Sequence, residues 1–355
     1  MAHRPGTPLR KINLVRIAHV YYSHKNIDKA RQFLLDFGFQ EVERHGSKTY
    51  YRGTGSAPFV YCASGDNEDK FGGSAFVVES AEDLDYASKT LPNATPVHEV
   101  LDEPGGGFRV TFTDPVDGFP FHLVHGQKLL ERGDADVSQR TFNFVSRSSF
   151  GRSHQGVSLF SAHTRLISTQ PEAKLRSGNQ FQRFEKGEPR VFRWPLRADV
   201  VSGPAPVHKL GHFGMCVTDF AKTYSFYTSR FNFAPSDLVY DENNRDVTTF
   251  LHLDRGSELV DHHCFFFFEG PKCHVHHSSF ETFDFDTQLL GHDHLRERGY
   301  ENCWGVGRHI MGSQIFDYWY DPSRFILEHY VDGDLVDATY QPNRTKVGPG
   351  NLHVW

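Results

Sequence analysis

Apolar residues recur at three- and four-residue steps in two segments of this chain, which is the spacing of one face of an α-helix. The two stripes are Ala30, Phe33, Leu34 and Phe37 in the first half, and Phe220, Tyr224, Tyr227 and Phe231 in the second. Gly38 and Asn232 follow the stripes, and both residue types tolerate the left-handed conformation that closes many helices. The pattern therefore predicts two amphipathic helices that end at equivalent positions.

Each predicted helix follows a short apolar, strand-like run that carries a histidine. Phe33 lies fourteen positions after His19, and Phe226 lies fourteen positions after His212. Both halves also end in two strand-like segments joined by a turn, which the fixed φ of proline favours. The two turns are Asp114-Pro115 and Asp321-Pro322. Because repeats at matching intervals indicate duplicated units, we interpret the chain as a tandem duplication.

The length of 355 residues also suggests two domains. We predict an N-terminal domain over 14–128, an irregular inter-domain connection over 129–205, a C-terminal domain over 206–337 and a tail over 338–355. The connection is polar and longer than most loops, which is typical of segments that serve a function or join domains. Its aromatic residues favour an ordered connection over a disordered linker. They include Phe181, Phe184, Phe192 and Trp194.

The composition narrows the class of protein. Hydrophobic residues make up 38% of the chain, enough for each half to bury a core, and the net charge of −6 without a basic run argues against nucleic acid as a partner. No stretch is long and apolar enough to span a bilayer, and residues 1–11 lack the apolar segment of a secretory signal. Five cysteines without a CxxC pair favour reduced thiols and a cytoplasmic location.

Three residues far apart in the sequence form a candidate metal site. His212, His277 and Glu328 can be read as a two-histidine, one-carboxylate set, which holds non-haem Fe(II) on one face and leaves positions for substrate and O₂. With 22 histidines in the chain, chance matches are easy, and a lone strand histidine more often packs or forms hydrogen bonds. Strand alternation places His274 and His276 on one face and His277 on the other, so only one set can face a metal.

The first half provides a comparison for this set. Alignment of the repeats puts Gly73 where the second half has His277, and His122 where the second half has Glu328. A duplicated domain that has lost its metal site would have this pattern. We therefore predict that the N-terminal domain is a non-catalytic copy.

The second half carries a longer motif in the segments 307–310, 316–318, 321–322 and 327–329. Together with the two upstream histidines, it resembles the type I extradiol ring-cleaving dioxygenases of the vicinal oxygen chelate superfamily, such as catechol 2,3-dioxygenase. The resemblance covers about 15–126 and 206–335. It implies an α+β fold of four βαβββ modules in two tandem vicinal oxygen chelate domains, with iron in the second domain only.

The resemblance also implies roles for individual residues. The implied ligands of Fe(II), or of Mn(II), are His212, His277 and Glu328. The implied catalytic residues are His262, His309 and Tyr318, and the implied substrate pocket contains Phe265, Phe267 and Trp304. His263 beside His262 and His276 beside His277 leave both assignments open to a slip of one residue.

The implied reaction is ring cleavage of a catechol or trihydroxybenzene by O₂, in an enzyme expected to be a homo-oligomer. A glyoxalase-type lyase or isomerase on the same modules is an alternative, with four protein ligands and a requirement for Zn or Ni. A non-catalytic binding module would not need metal ligands, and a purely structural role would not explain six functional positions filled together. The segment 323–325 stands where the family commonly has a glycine, so this turn is expected to differ in shape.

Overall fold

The computed structural model describes residues 10–130 and 203–355, all of which belong to one compact unit. The predicted inter-domain connection, with its four aromatic anchors, lies outside the described residues except at its two ends. Within the two described ranges, no helix is long and apolar enough to cross a bilayer. The five cysteines lie in these ranges, and none is joined to another by a disulfide bond.

The first half folds as an eight-stranded mixed sheet with two helices. Its elements are β1 (Leu14–His24), α1 (Ile27–Phe37), β2 (Gln40–His45), β3 (Lys48–Arg52), β4 (Tyr61–Gly65), β5 (Lys70–Val78), α2 (Ala81–Thr90), β6 (His98–Glu99), β7 (Phe108–Thr113) and β8 (Pro120–His125). The strand order is β2-β3-β4-β1-β5-β8-β7-β6. Strand β1 pairs in parallel with β4, β5 pairs in parallel with β8, and β1 and β5 are antiparallel. Two βαβββ modules therefore lie side by side.

The second half repeats this arrangement in a nine-stranded sheet. Its elements are β9 (Lys209–Val217), α3 (Phe220–Arg230), β10 (Phe233–Tyr240), β11 (Asp246–Leu253), β12 (Val260–Asp261), β13 (Phe265–Glu269), β14 (His274–Glu281), α4 (Phe285–Glu297), β15 (Asn302–Arg308), β16 (Ile315–Tyr320), β17 (Ile326–Val331), β18 (Leu335–Val336), β19 (Asn343–Lys346) and a 3₁₀ turn (Pro349–Asn351). The order is β15-β16-β17-β14-β9-β13-β11-β10-β19, and β12 pairs with β18 separately. The predicted α+β fold of four modules is confirmed.

The first predicted helix has the expected face and end. All four residues of its apolar stripe are buried. The Asn26 side chain accepts a hydrogen bond from Lys29 N–H at the start of α1, and Gly38 closes the helix at a φ of 112°. A Cβ atom at Gly38 would lie 1.7 Å from Ala205 O. Glycine is therefore required here by both its conformation and the close approach of another segment.

Asn232 does not close α3 in the left-handed conformation, so that prediction is wrong. The helix ends at Arg230 and Phe231 is extended, with a φ of −126°, while Asn232 has no positive φ. Instead, the buried Asn232 side chain accepts a hydrogen bond from Leu14 N–H at 2.7 Å and donates one to Leu14 O at 3.0 Å. The residue therefore joins the second half to the first strand of the chain.

One hydrophobic core runs through both halves. The Phe37 ring stacks on His329 with centroids 3.7 Å apart, and Phe76 lies 6.1 Å from Phe213. Along β9, Phe213 and Met215 belong to this core. Side chains alternate between the faces of a strand, so His212 lies on the opposite face of β9. That face carries the polar cluster of the second half.

The turn after Asp321 has the positive φ that a glycine would ordinarily supply. Arg324 occupies this position with a φ of 70°, which is uncommon for a residue with a side chain. Its guanidinium lies 3.8 Å from the centre of the Tyr320 ring and pairs with Glu301 Oε2 at 2.5 Å. Contacts of the side chain therefore accompany the strained backbone.

Candidate metal centre

Three adjacent strands bring the predicted metal ligands to the same level of the sheet. His212 on β9 pairs with Ser279 on β14, and Ser279 pairs in turn with Glu328 on β17. His277 precedes Ser279 by two residues on β14 and pairs with Gly214. Residues that share a register and a face lie close together. The sheet therefore brings together three residues that are far apart in the sequence.

The three side chains approach one another through single atoms. His212 Nε2 lies 3.0 Å from His277 Nε2 and 3.1 Å from Glu328 Oε2, and His277 Nε2 lies 3.4 Å from Glu328 Oε2. Two ligand atoms at about 2.1 Å from one ion and at right angles to each other would be about 3.0 Å apart. The observed spacing fits a divalent metal held on one face.

The surroundings of Glu328 support the same conclusion. Its side chain is fully buried, and neither carboxylate oxygen accepts a well-aligned hydrogen bond within the described part of the chain. Burying a carboxylate without full pairing costs several kcal/mol, which metal coordination offsets. Among the described residues, His212, His277 and Glu328 form the one group with converging metal-ligand atoms.

The protonation states of these groups suit metal binding. Burial raises the pKa of Glu328, but its contacts with His212 and His277 outweigh this effect and hold the pKa well below its usual range. Burial lowers the pKa of His212. A carboxylate and a neutral imidazole are the forms that coordinate a metal.

His276 and His277 do not lie on opposite faces, contrary to the prediction from strand alternation. A register shift between Val275 and His277 interrupts β14. The two rings lie 5.0 Å apart, with His276 Nδ1 2.7 Å from His277 Nδ1. A hydrogen bond to the far nitrogen of a ligating imidazole fixes its ring orientation, and His276 is placed to supply this bond to His277.

The structure places His263, rather than His262, beside the candidate ligands. The His263 ring lies 4.2 Å from the ring of His212. The His262 ring contacts His263 and Tyr340, and its Nε2 lies 3.0 Å from Asp237 Oδ2. The assignment of His262 to the site is therefore corrected by one residue. The adjacent histidines in the sequence had left this possibility open.

His309 and Tyr318 lie next to the candidate metal centre. His309 Nε2 is 2.9 Å from the Tyr318 hydroxyl and 3.9 Å from Glu328 Oε1. The Nδ1–H of His309 donates to Leu352 O at 2.8 Å. A residue of the C-terminal tail therefore fixes the tautomer of His309, a contact that sequence reasoning did not find.

Two of the three predicted pocket residues lie elsewhere. Phe265 stacks on Phe213 at 4.7 Å, and Phe267 packs against Phe220 at 5.4 Å, so both belong to the hydrophobic core. Phe266, between them, lies 5.6 Å from His277. The assignment of Phe265 and Phe267 to the pocket is corrected, because successive strand residues face opposite sides.

Trp304 lies beside the catalytic candidates. Its ring is stacked near Tyr318 at 5.7 Å and contacts His309 at the same centroid distance. The side chain is 37% exposed, so one edge of it reaches solvent. Aromatic side chains that bridge a polar site and solvent are typical of ligand pockets.

The fold, two tandem pairs of βαβββ modules with a two-histidine, one-carboxylate cluster in the second pair, defines the class of protein. Residues 16–123 and 209–328 match the Glyoxalase/Bleomycin resistance protein/Dioxygenase superfamily. The chain belongs to this superfamily, as its resemblance to vicinal oxygen chelate proteins implied.

Two curated proteins match about half of this chain in sequence. The chain is 25% identical over 183 residues to metapyrocatechase 2 of Cupriavidus necator, covering 52% of this chain and 54% of that protein. It is 29% identical over 159 residues to biphenyl-2,3-diol 1,2-dioxygenase of Paraburkholderia xenovorans (strain LB400), covering 43% and 52%. The chain spans about half the length of these curated relatives.

Solved structures share the fold over nearly the whole chain. Homoprotocatechuate 2,3-dioxygenase of Arthrobacter globiformis has a TM-score of 0.70 at 16% identity, covering 98% of this chain and 89% of that chain. A Mn(II)-bound glyoxalase from Novosphingobium aromaticivorans has a TM-score of 0.69 at 18% identity, covering 96% and 90%. These likenesses establish the fold and leave the reaction to be argued from the site.

Proposed function

We propose that this protein is an extradiol-type dioxygenase, an oxidoreductase that opens the aromatic ring of a catechol or trihydroxybenzene with O₂ at a single Fe(II) ion. The observation that carries the proposal is the convergence of ligand atoms from His212, His277 and Glu328 beside the His309–Tyr318 pair. The names of the relatives, metapyrocatechase and biphenyl-2,3-diol dioxygenase, support the same class of reaction.

The proposed ligands suit this chemistry by their number as well as their type. When bound, Fe(II) supplies a Lewis acid for the two hydroxyl groups of a diol and a route for electrons from the ring to O₂. Three converging ligands among the described residues leave room for both reactants. Mn(II) has similar ligand preferences, so the metal content of active protein has to be measured.

The His309–Tyr318 pair is proposed to hold a substrate oxygen and to move its proton. Because His309 Nδ1–H is committed to Leu352 O, Nε2 is the acceptor in the neutral ring, and the Tyr318 hydroxyl donates to it. A substrate hydroxyl in this position can give its proton to Nε2 and receive one as the ring opens. Such positioned proton transfer typically contributes roughly 10²–10⁴-fold.

We assign to His263 the catalytic role that the family resemblance had given to His262. Burial, together with the neighbouring His212, holds the pKa of His263 well below its usual range, so the ring is neutral and able to accept a proton. Phe250 lies 5.1 Å from this ring. An apolar wall excludes water and strengthens electrostatic interactions with the reacting groups.

The test is anaerobic reconstitution with Fe(II), followed by mixing in air with 3-methylcatechol, 2,3-dihydroxybiphenyl or a trihydroxybenzene. We expect O₂ uptake and a yellow ring-opened product that depend on iron and disappear in His212→Ala. His274→Ala provides the matched control, since His274 is an exposed histidine on the same strand as His277.

Protein that contains iron but consumes no O₂ with any of these diols would overturn the proposal. The alternative, a glyoxalase-type lyase or isomerase, would then be tested by activity with Zn(II), Ni(II) or Mn(II) in the absence of O₂. Fully loaded protein with neither activity would favour a binding function.

A further inference from the structure

A line of buried polar groups runs from the candidate metal centre to the outer side of the second domain. His263 contacts the ring of His212, and His263 Nδ1 lies 3.1 Å from His262 Nδ1. His262 Nε2 lies 3.0 Å from Asp237 Oδ2. His263, His262 and Asp237 are 3%, 1% and 3% exposed. These three side chains therefore have one another, rather than water, as polar neighbours.

The chemistry of the three groups determines which atoms carry hydrogen. A carboxylate oxygen beside an imidazole nitrogen is most favourable when that nitrogen carries the hydrogen, so we place the hydrogen of His262 on Nε2. With one N–H group on each ring, the contact between the two Nδ1 atoms then has His263 as the donor and His262 as the acceptor. It follows that His263 carries no hydrogen on Nε2.

We propose that Asp237 and His262 are positioning residues that fix the tautomer and ring orientation of His263, so that His263 Nε2 is presented as a proton acceptor. The inference deepens the proposed function, on which the catalytic importance of His263 rests. Carboxylate–histidine pairs fix the tautomer of an adjacent functional group in the same way. Here, a second histidine extends the pair by one residue.

The backbone around His262 is built to hold the ring in place. His262 N–H donates to Asp334 O at 3.0 Å, and the Ser236 hydroxyl donates to His262 O at 2.5 Å. Gly312 has a φ of 78°, and a Cβ atom there would lie 2.8 Å from His262 Nδ1. The ring is therefore packed directly against the Gly312 backbone.

The Asp237 end of this line borders a cavity of about 310 Å³ that Gly312, Asp334 and Tyr340 also line. The alignment of His262 Nε2 with the carboxylate is not that of an ideal hydrogen bond. At 3.0 Å, however, the oxygen favours a hydrogen on that nitrogen over a bare nitrogen, whose lone pair would face the oxygen.

The first test uses metal-free protein, so it does not depend on the reaction. Nitrogen-15 NMR of labelled histidine distinguishes protonated from bare ring nitrogens, and the His263 signals are identified by their loss in His263→Phe. We expect a protonated Nδ1 and a bare Nε2 in the wild type. In Asp237→Leu, which removes the acceptor, we expect a mixture of tautomers. Asp237→Asn retains an acceptor oxygen and should restore part of the wild-type signal.

Asp334→Asn is the matched control, because Asp334 lines the same cavity while only its backbone oxygen contacts His262. It should keep the wild-type His263 tautomer. A hydrogen on His263 Nε2 in the wild type, or an unchanged tautomer in Asp237→Leu, would overturn the proposal. If Asp237→Leu does not fold, His262→Phe provides the same test, because it removes the acceptor for His263 Nδ1–H.

The second test is kinetic and uses iron-loaded protein. Asp237→Leu should lower kcat by roughly 10–100-fold, the usual effect of removing such partners, with KM and iron content little changed. If Asp237→Leu lost activity only through a higher KM or a lower iron content, with kcat unchanged, a positioning role would be contradicted. If no variant or wild type cleaves a diol, the proposed function fails, whereas the NMR result still decides the tautomer.

Discussion

The two halves of this protein have the same strand register at their centres but different chemistry. In the first half, His19 pairs with Ala75, which pairs with His122. In the second half, His212 pairs with Ser279, which pairs with Glu328. The positions that the repeat alignment makes equivalent therefore have equivalent strand partners in the two sheets.

The difference between the halves centres on one pair of opposed strand residues. Tyr21 faces Gly73 in the first half, whereas Gly214 faces His277 in the second. The larger residue of the pair lies on the first strand, β1, in the first half and on the second strand, β14, in the second half. A Cβ atom at Gly214 would lie 2.2 Å from Phe266 Cδ1 and 3.3 Å from His277 Cε1. Glycine there leaves space for the Phe266 ring, which lies beside the candidate ligand His277.

In the first half, a hydrogen-bond network fills the corresponding region. The Tyr21 hydroxyl donates to Glu103 Oε2 at 2.7 Å, and it lies 2.9 Å from His19 Nε2. Arg109 donates both to this hydroxyl and to Glu103. The ring nitrogens of His122 contact Thr111 Oγ1 and Gly72 O. The two histidines at the candidate ligand positions of the first half thus have hydrogen-bond partners within that half.

The largest expected effect is that of Glu328→Gln, which removes the buried charge. We expect loss of bound iron and a fall in diol-dependent O₂ uptake of more than about 100-fold, beyond the usual effect of changing a residue outside the ligand set. Metal analysis and an oxygen electrode provide the measurements. His122→Gln is the counterpart in the first half and should leave iron content unchanged. Retention of iron and activity in Glu328→Gln would instead favour a structural role for the cluster.

Asp321 should make stability depend on pH. Burial raises its pKa to about 7, and the nearby His24, whose pKa burial lowers to about 4, is neutral and adds no compensating charge. An unfolded aspartate has a pKa of about 3.9. The folded state therefore binds the proton more tightly, and the unfolding free energy falls as pH rises from about 4 to about 7, by up to about 4 kcal/mol.

Asp321→Asn should remove this contribution, as measured by urea unfolding of metal-free protein across that pH range. Asp85→Asn changes an exposed carboxylate on α2 and should retain the wild-type pH dependence. The same slope in Asp321→Asn and the wild type would contradict a raised pKa for Asp321.

The two tyrosines provide a paired test of the two halves. Tyr318→Phe removes the hydroxyl that contacts His309 and should lower kcat by about 10–100-fold with iron retained. Tyr21→Phe removes the hydroxyl that joins His19, Glu103 and Arg109, so it should cost about 1–3 kcal/mol of stability and leave kcat unchanged. Steady-state kinetics and urea unfolding measure both. A loss of activity in Tyr21→Phe at full iron content would contradict a purely structural first half.

The smallest effect is expected for Gly214→Ala. The added methyl group meets the ring of Phe266, and overpacking of this kind typically costs about 1–3 kcal/mol. Because it also approaches His277, iron affinity should fall with stability, as titration of the metal-free protein would measure. Gly299→Ala is less suitable as a control because of its positive φ, whereas Gly348→Ala has open space around it and should have no effect. Unchanged iron affinity in Gly214→Ala would show that the ring of Phe266 moves freely.

The sequence alone indicated the duplication and the candidate ligand set, and its resemblance to a known family implied the four-module fold. Helical stripes, Asp-Pro turns and the repeat alignment are local patterns, so they required no knowledge of distant contacts. The equivalence of Gly73 with His277 could also be inferred, because matching strands preserve the register. The family motif pointed to His309 and Tyr318 as site residues, and the structure places this pair beside Glu328.

Only the tertiary structure decided which member of each adjacent pair faces the site. Which of His262 and His263 faces the site depends on where the chain leaves β12 and enters β13. Which of His276 and His277 faces it depends on a register shift in β14. The contact of Leu352 with His309, and that of Asn232 with Leu14, join residues far apart in the chain. Successive side chains of a strand alternate between its two faces, so a shift of one residue moves every following side chain to the other face. Partner strands and packing, rather than local sequence, determine where that displacement occurs.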